Sequence, residues 1–297
     1  MAYQRIIYEK VDPEIVKVSM NRPEKRNAQD DLMQWEIQDA FTEADLDEEV
    51  RVIIFAGVGK DFSSGHDMSG MKWDGGLREE APKGSVIQRT VASKLTGMEY
   101  NLQREQHIYL NQCRAMRNVS KPTIAMIQGN CMAGAWMSAA MCDLIITSDD
   151  AKFGDPVVRM GPAAVEILFH PYDLGFRKAK EILWTGDPIT AQEGKELGFV
   201  SQVVPREKLE EETLALARRI AMNMPVAVSL VKRSINQAWD EMGQRNAWHY
   251  HLLIHQLSHA SDERMRWNNL RAEAIEKGGV KEFLKVRDAK FKAGGRY

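Results

Sequence analysis

Short β-branched runs alternate along this chain with longer stretches of helical spacing, and glycine or proline turns separate them. Ile6 to Glu9 and Ile15 to Met20 read as a strand pair turned at Val11-Asp12-Pro13-Glu14. A polar turn from Asn21 to Ala28 leads into an amphipathic helix expected from Asp30 to Asp45. Val52 to Ala56 is a compact apolar strand ended by Gly57 and Gly59, and Phe62-Ser63-Ser64-Gly65-His66-Asp67-Met68 follows as a second glycine turn. From Ser69 to about Gln103 the pattern weakens, with Gly75-Gly76, Pro82 and Gly84. That length without periodicity is unusual in a compact domain and predicts a mobile or functional lid that shapes a pocket. A helix from about Arg104 to Arg117 then leads into the centre of the chain.

The centre, Lys121 to Gly161, reads strand, glycine turn, apolar helix, strand, turn. Thr123 to Ile127 is the first strand, broken by Gly129 and Asn130, and Leu144 to Thr147 is the second. Between them Ala133, Gly134, Ala135, Ser138, Ala139 and Ala140 predict a helix that packs close to its neighbours. A helix opening at a glycine points free N–H groups and the positive end of its dipole outward. Such an end stabilises an anion or a carbonyl oxygen that is gaining charge, although the same pattern also serves as a plain tight turn. Helical spacing resumes from Val165 to Phe169 and from Arg177 to Trp184. Thr190 to Leu197 is a short helix with Thr190 as its N-cap, and Val200 to Val204 is a last strand.

Repeated strand-turn-helix units predict an α/β core over residues 1–205. From Arg206 onward the pattern is wholly helical. Trp239, Trp248, Trp267 and Phe283 give this tail, residues 206–297, more aromatic surface than an isolated appendage leaves in water. It is therefore expected to dock on the core or on another subunit.

Composition narrows the picture. The chain has 297 residues, 44% hydrophobic and 28% charged, enough for one large domain or one domain with an appendage. A formal net charge of -2 supplies no global basic field for nucleic acid. The 3 cysteines, Cys113, Cys131 and Cys142, show no CxxC spacing. That argues against a disulfide framework and a cysteine zinc site, and for a reducing compartment. The first ten residues carry no signal pattern and no apolar run is long enough to cross a bilayer, so a cytoplasmic protein is expected.

Five segments, in order and spacing, resemble the crotonase (enoyl-CoA hydratase/isomerase) family. They are NRPEKRNA at Asn21–Ala28, FSSGHDM at Phe62–Met68, KPTIAMIQGNCMAGAWMSAAMCDLIIT at Lys121–Thr147, AKFGDPVVRMG at Ala151–Gly161 and LWTGDPITAQEGKELGFVSQVVP at Leu183–Pro205. The match runs from roughly residue 3 to 205, and the helical tail fits as well. The resemblance implies a spiral of ββα units with a C-terminal helical oligomerisation region, assembled as homotrimers or dimers of trimers. It implies an acyl-CoA substrate, with coenzyme A present only as part of that substrate, no tightly bound cofactor and no metal. Its shared chemistry is polarisation of the thioester carbonyl by two backbone N–H groups, which by position fall on His66 and Gly134. Ligand contacts are implied for Lys25, Arg26 and Ala28, and for Ser64, Gly65, His66, Asp67 and Met68. Further contacts fall on Met132, Ala133, Gly134, Met137, Pro156 and Val157.

The match departs where hydratases carry two glutamates that hold and activate water. Hydration needs one group to take a proton from water and another to deliver one to carbon. The two positions here are Met137 and Val157, and neither side chain carries a proton. Isomerases that use only the second glutamate lose it too. Other branches place a carboxylate where the next helix begins, here Ala164 and Val165; the nearest ionisable residue is Glu166. Glu166 reads either as a dipole-matched acid in a first helical turn or as a base shifted by one position, tuned by an apolar pocket.

His66 stands where the family commonly has a small residue, and its imidazole either enters the site as acid or base or turns away. His107 and Tyr109 are candidates for a pocket wall. His170 reads as a packing histidine at a helix end, and Asp155 as a turn residue before Pro156. His251, His255 and His259 share one helical face at a spacing that could hold a metal; without an accompanying acid, a solvated or intersubunit stripe is expected. Met68, Met71, Met132, Met137 and Met160 gather around the inferred site as core packing that also suits a bulky acyl group. The resemblance and these departures together predict an enolate-forming acyl-CoA enzyme, a lyase or isomerase, acting by isomerisation, by C–C bond hydrolysis or formation, or by hydration with an unusual base, with His66 and Glu166 in proton transfer. The alternatives are a non-catalytic acyl-CoA-binding protein and an acyl-CoA or C–C bond hydrolase.

Overall fold

The computed structural model describes residues 3–68 and 94–291. Most of the predicted lid, residues 69–93 with Met71, lies outside the described residues. Strands β1 (Ile6–Asp12) and β2 (Ile15–Met20) pair antiparallel across a turn tighter than the four residues expected. Helix α1 (Asp31–Leu46) is capped by the Asp30 carboxylate, which accepts from the Met33 N–H at 2.9 Å. Strand β3 (Val52–Gly57) is followed, in the described chain, by α2 (Gly97–Glu105). A π-turn over Gln106–Leu110 joins α2 to α3 (Asn111–Asn118). The helical stretch opens at Gly97, well ahead of Arg104, because its early buried face includes Asn101 and Glu105, which no apolar periodicity reveals.

The central stretch forms β4 (Thr123–Ile127), β5 (Asn130–Met132), α4 (Gly134–Ala139), β6 (Leu144–Ser148) and β7 (Lys152–Gly154). Beyond it come α5 (His170–Leu174), α6 (Phe176–Thr185), β8 (Ile189–Thr190), α7 (Ala191–Leu197) and β9 (Gln202–Val204). Thr190 caps α7 in a capping box with Glu193. The tail is α8 (Leu209–Ala221), α9 (Pro225–Glu241), α10 (Gln244–His259) and α11 (Asp262–Asp288), which is kinked at Gly278 and Gly279.

One sheet runs β1-β2-β3-β4-β6-β9, parallel from β2 onward. A second sheet, β5-β7-β8, lies beside it. Bridges Ser63 to Cys131 and Gln29 to His66 extend the second sheet to the turn that carries His66. The main core, with Phe41, Phe55, Trp136 and Phe153, fills one face of the larger sheet, and α8 covers the other through Leu209, Ala217 and Ala221. The mixed α/β architecture with C-terminal helices is the one expected.

The tail docks on the core: Trp248 and Leu252 of α10 belong to the main cluster. Phe283 is 1% exposed, a burial that contributes about 1.5–3 kcal/mol. No single helix among the described residues is long and apolar enough to cross a membrane.

One expected helix is absent. Residues 161–169 form an irregular segment, with Ala164 at φ 63, and α5 begins only at His170. Side chains take the amides a helix would use: Val165 N–H donates to Asp155 Oδ2 and Ala163 N–H to Ser258 Oγ, both at 3.0 Å.

Candidate active site

Two backbone amides meet where the second sheet reaches α4. Gly65 has φ +88, and a Cβ there would lie 2.6 Å from the Met132 carbonyl oxygen and 3.4 Å from the Gly134 nitrogen. Only glycine permits this approach of the His66 turn to the start of α4. Ala133, before that helix, is held at φ 49 and ψ -117, a conformation costing on the order of 1–3 kcal/mol. The neighbouring amides are occupied: Gly65 N–H donates to Ser63 Oγ, Asp67 N–H to the Gln29 carbonyl and Ala133 N–H to the Gly154 carbonyl. Among the described residues, the His66 and Gly134 N–H groups donate no backbone hydrogen bond.

The His66 side chain turns inward. Its imidazole lies on the Cα of Gly134, where an added Cβ would come within 2.3 Å of Cε1. On another side the ring stacks on Tyr109, with centroids 4.2 Å apart and planes at 22°. The π-turn supplies that tyrosine, its extra residue changing the direction of the side chains that follow. Arg104 Nη2 donates to Tyr109 Oη at 3.0 Å and is itself ion-paired with the buried Asp31.

Nε2 of His66 lies 3.0 Å from Glu166 Oε2. Nδ1 is 3.4 Å from Gln34 Nε2, which also donates to Gln29 Oε1 at 2.8 Å. The two ring nitrogens thus face Gln34 on one side and the Glu166 carboxylate on the other. Glu166 therefore does not serve as a dipole-matched acid, since no helix surrounds it. Burial works to raise its pKa, but the charge and hydrogen bond of His66, with His255 behind, hold it below the ordinary carboxylate range. The segment bearing Glu166 is pinned from three sides. Asp155 accepts from Val165 N–H, His251 Nε2 is 2.9 Å from the Val165 carbonyl oxygen, and Arg264 donates to the Met160 carbonyl at 2.6 Å.

The two positions that the family resemblance matches to the hydratase glutamates are closed instead. Met137 is 0% exposed and Val157 8%, both within the main core. Of the other expected contacts, Lys25 lies near Asp67 at 3.7 Å and Arg26 near Asp61 at 3.8 Å, with Arg26 largely exposed at the rim. Ala28 is buried, and Ser64 N–H donates to the Arg26 carbonyl at 2.9 Å, joining the two rim segments. Asp67 also pairs with Arg22 at 3.0 Å. Met68, Met132, Ala133 and Pro156 are partly exposed around this rim.

His107 Nδ1 lies 3.4 Å from Asn111 Nδ2 of the same helical stretch. His170 packs against Trp136 and Phe169, as expected, and burial lowers its pKa to about 3. Asp155 is the turn residue expected, accepting from Val157 N–H at 3.1 Å, and burial raises its pKa to about 6.

The histidine stripe on α10 is not solvated. His251 and His255 are buried and turned toward the Glu166 segment, and His259, nearly buried, meets His255 and Glu105. An acid accompanies them after all: Glu105, at the end of α2, is 3.6 Å from His255 Nε2 and 4.0 Å from His259 Nε2. Burial and the nearby Glu166 push the Glu105 pKa upward. Sequence reasoning missed Glu105 and Gln34. Each stands in a helix where its polarity suggests a wet face, and no local spacing links either to His66.

The family profile described as enoyl-CoA hydratase/isomerase matches residues 11–92 and 90–293. A candidate enoyl-CoA hydratase of Mycobacterium tuberculosis, EchA13, is 39% identical over 260 residues, 87% of this chain and 81% of that one. Among solved structures, an enoyl-CoA hydratase/isomerase from Xanthobacter autotrophicus Py2 superposes with a TM-score of 0.82 at 29% identity, over 98% of this chain and 99% of the other. A candidate enoyl-CoA hydratase from Mycobacterium smegmatis gives a TM-score of 0.75 at 36% identity, over 94% and 98% of the two chains. With both strands of the comparison in agreement over nearly its whole length, the chain belongs to the enoyl-CoA hydratase/isomerase family, the crotonases, enzymes of coenzyme A thioesters.

Proposed function

We propose that the protein forms the enolate of an acyl-CoA thioester and moves its proton through the His66–Glu166 pair. The observation that carries this is the 3.0 Å contact of His66 Nε2 with Glu166 Oε2, made by an imidazole lying directly on Gly134. The thioester oxygen would accept from the His66 and Gly134 N–H groups. Charge gathering there as the α-proton leaves meets fixed donors that need no reorganisation. The proton passes to the histidine–carboxylate pair, which holds it between two groups of a dry site. Returning it to a different carbon moves a double bond. A single acid–base unit suffices for that isomerisation, whereas hydration needs a second group at a water. Met137 and Val157 offer none.

Lys25 and Arg26 at the rim suit the phosphates of coenzyme A, with the acyl chain running inward past Met132. Exposed Met222, Met224, Val226, Leu230 and Ile235 near and on α9 suit the trimer contacts expected of the family. A reducing, cytoplasmic setting suits the buried thiols of Cys113 and Cys131.

The test is a substrate panel. The protein should exchange α-protons of a saturated acyl-CoA into heavy water and convert a 3-enoyl-CoA into its 2-enoyl isomer. It should add water to crotonyl-CoA slowly or not at all. Rapid hydration overturns the assignment, and binding without any exchange marks a passive acyl-CoA carrier.

A further inference from the structure

We propose that Glu105, His255 and His259 form a binding site for a divalent cation of the zinc class, on the side of Glu166 away from His66. His255 and His259 stand four residues apart on α10, so both imidazoles leave the same helical face. Their Nε2 atoms are 3.0 Å apart. Glu105 arrives from α2 with Oε2 3.6 Å from His255 Nε2 and Oε1 4.0 Å from His259 Nε2. An ion bound tetrahedrally at about 2.0–2.2 Å from nitrogen and oxygen keeps its ligands about 3.3–3.5 Å apart. The three separations bracket that value, so small side-chain rotations seat an ion at their centre. Among the described residues, no other three His, Cys, Asp or Glu side chains bring ligand atoms within 4.8 Å of one another.

The surroundings fit a cation. Gln256 Nε2 donates to Glu105 Oε2 and so orients the carboxylate, as outer partners of ligating carboxylates do. Glu166 Oε1 lies 3.8 Å from His255 Nε2, giving the cage a second buried carboxylate. Arg264, the neighbouring cation, has its Nη1 engaged by the Met160 carbonyl. Two imidazoles and one carboxylate, with no thiolate, select zinc, cobalt or nickel over calcium or magnesium. Three protein ligands leave a fourth position for water. A bound ion would fasten the end of α2 to α10, the two helices that flank the Glu166 segment.

The experiment uses the untagged full chain, stripped with a chelator and titrated with Co2+ and then Zn2+. The expected result is one equivalent of Co2+ per chain, with the visible absorption of a tetrahedral site, displaced by Zn2+, which also raises the thermal midpoint. Glu105→Gln and His259→Ala should each weaken binding at least about a hundredfold, while His249→Ala, an exposed histidine on the same helix, should leave it intact. Failure to take up either metal at equimolar concentration overturns the proposal, as does uptake that survives both substitutions. Should those variants not fold, anomalous scattering at the zinc edge from wild-type crystals decides: a peak between the three side chains supports the site, and a peak elsewhere or none overturns it. No acyl-CoA enters these measurements, so the outcome is independent of the proton-transfer assignment.

Discussion

Two walls face each other across the start of α4, and they differ in what reaches the Gly134 amide. Along α4 and the Asp155 turn the chain offers Met137 and Val157, closed into the core. Across from them, the His66 turn and the segment 161–169 bring an imidazole and a carboxylate to 3.0 Å. The amides between the walls are main-chain groups, fixed by Gly65, Ala133 and the sheet bridges rather than by either wall's side chains. Under the proposed function, the comparison teaches that an oxyanion site built from backbone leaves the acid–base residue free to come from a different direction. What the polar wall needs is an irregular segment: in a regular helix Asp155, Ser258 and His251 would not hold the backbone of Ala163 and Val165 just before Glu166.

The comparison breaks most severely at Gly134. Gly134→Ala puts a methyl group 2.3 Å from His66 Cε1, and the ring is held by Tyr109 and Glu166. Both the donor geometry and the pair are disturbed, so α-proton exchange should fall by about 10²–10³ or more, read by deuterium incorporation under saturating acyl-CoA. The sealed wall can be challenged directly. Met137→Glu returns a carboxylate to the hydratase position but buries it without a cation, at a site that is 0% exposed. It should lower stability by about 3 kcal/mol or more in urea unfolding and confer no crotonyl-CoA hydration.

Much of the frame could be read in advance. The strand of Thr123–Ile127, the capping of α7 by Thr190 and the docking of the aromatic tail follow from periodicity and turn chemistry, which are local signals. The His66 and Gly134 amides are implied by the family resemblance, which the motifs around Gly65 and Gly134 carry. What escaped was held by contacts distant in sequence. Ala163 and Val165 lose their helix to side chains of Ser258 and Asp155, so the apolar spacing of Val165 to Phe169 was misleading. The stripe on α10 reads as a solvated or intersubunit face because Glu105 approaches it from 150 residues away in the chain, in contact with Gln256.

A smaller effect tests how dry the region behind the walls is. Burial holds His170 neutral, with its pKa lowered from 6.5 to about 3. The unfolded chain takes up a proton below about pH 6.5 that the folded chain refuses, so this group's contribution falls as pH drops through that window. His170→Phe should reduce the loss of stability with falling pH by up to about 1.4 kcal/mol per pH unit, measured by urea unfolding between roughly pH 6.5 and 4.5. Asp155, raised to about 6 by burial, acts in the opposite sense, because its folded form takes up a proton before the unfolded form does.

The most direct measurement is the rate at which a bound acyl-CoA exchanges its α-protons with heavy water in wild type and in Glu166→Gln, with acyl-CoA affinity determined alongside. The account predicts that exchange drops at least about a hundredfold while affinity holds. An exchange rate left unchanged by the substitution would contradict it.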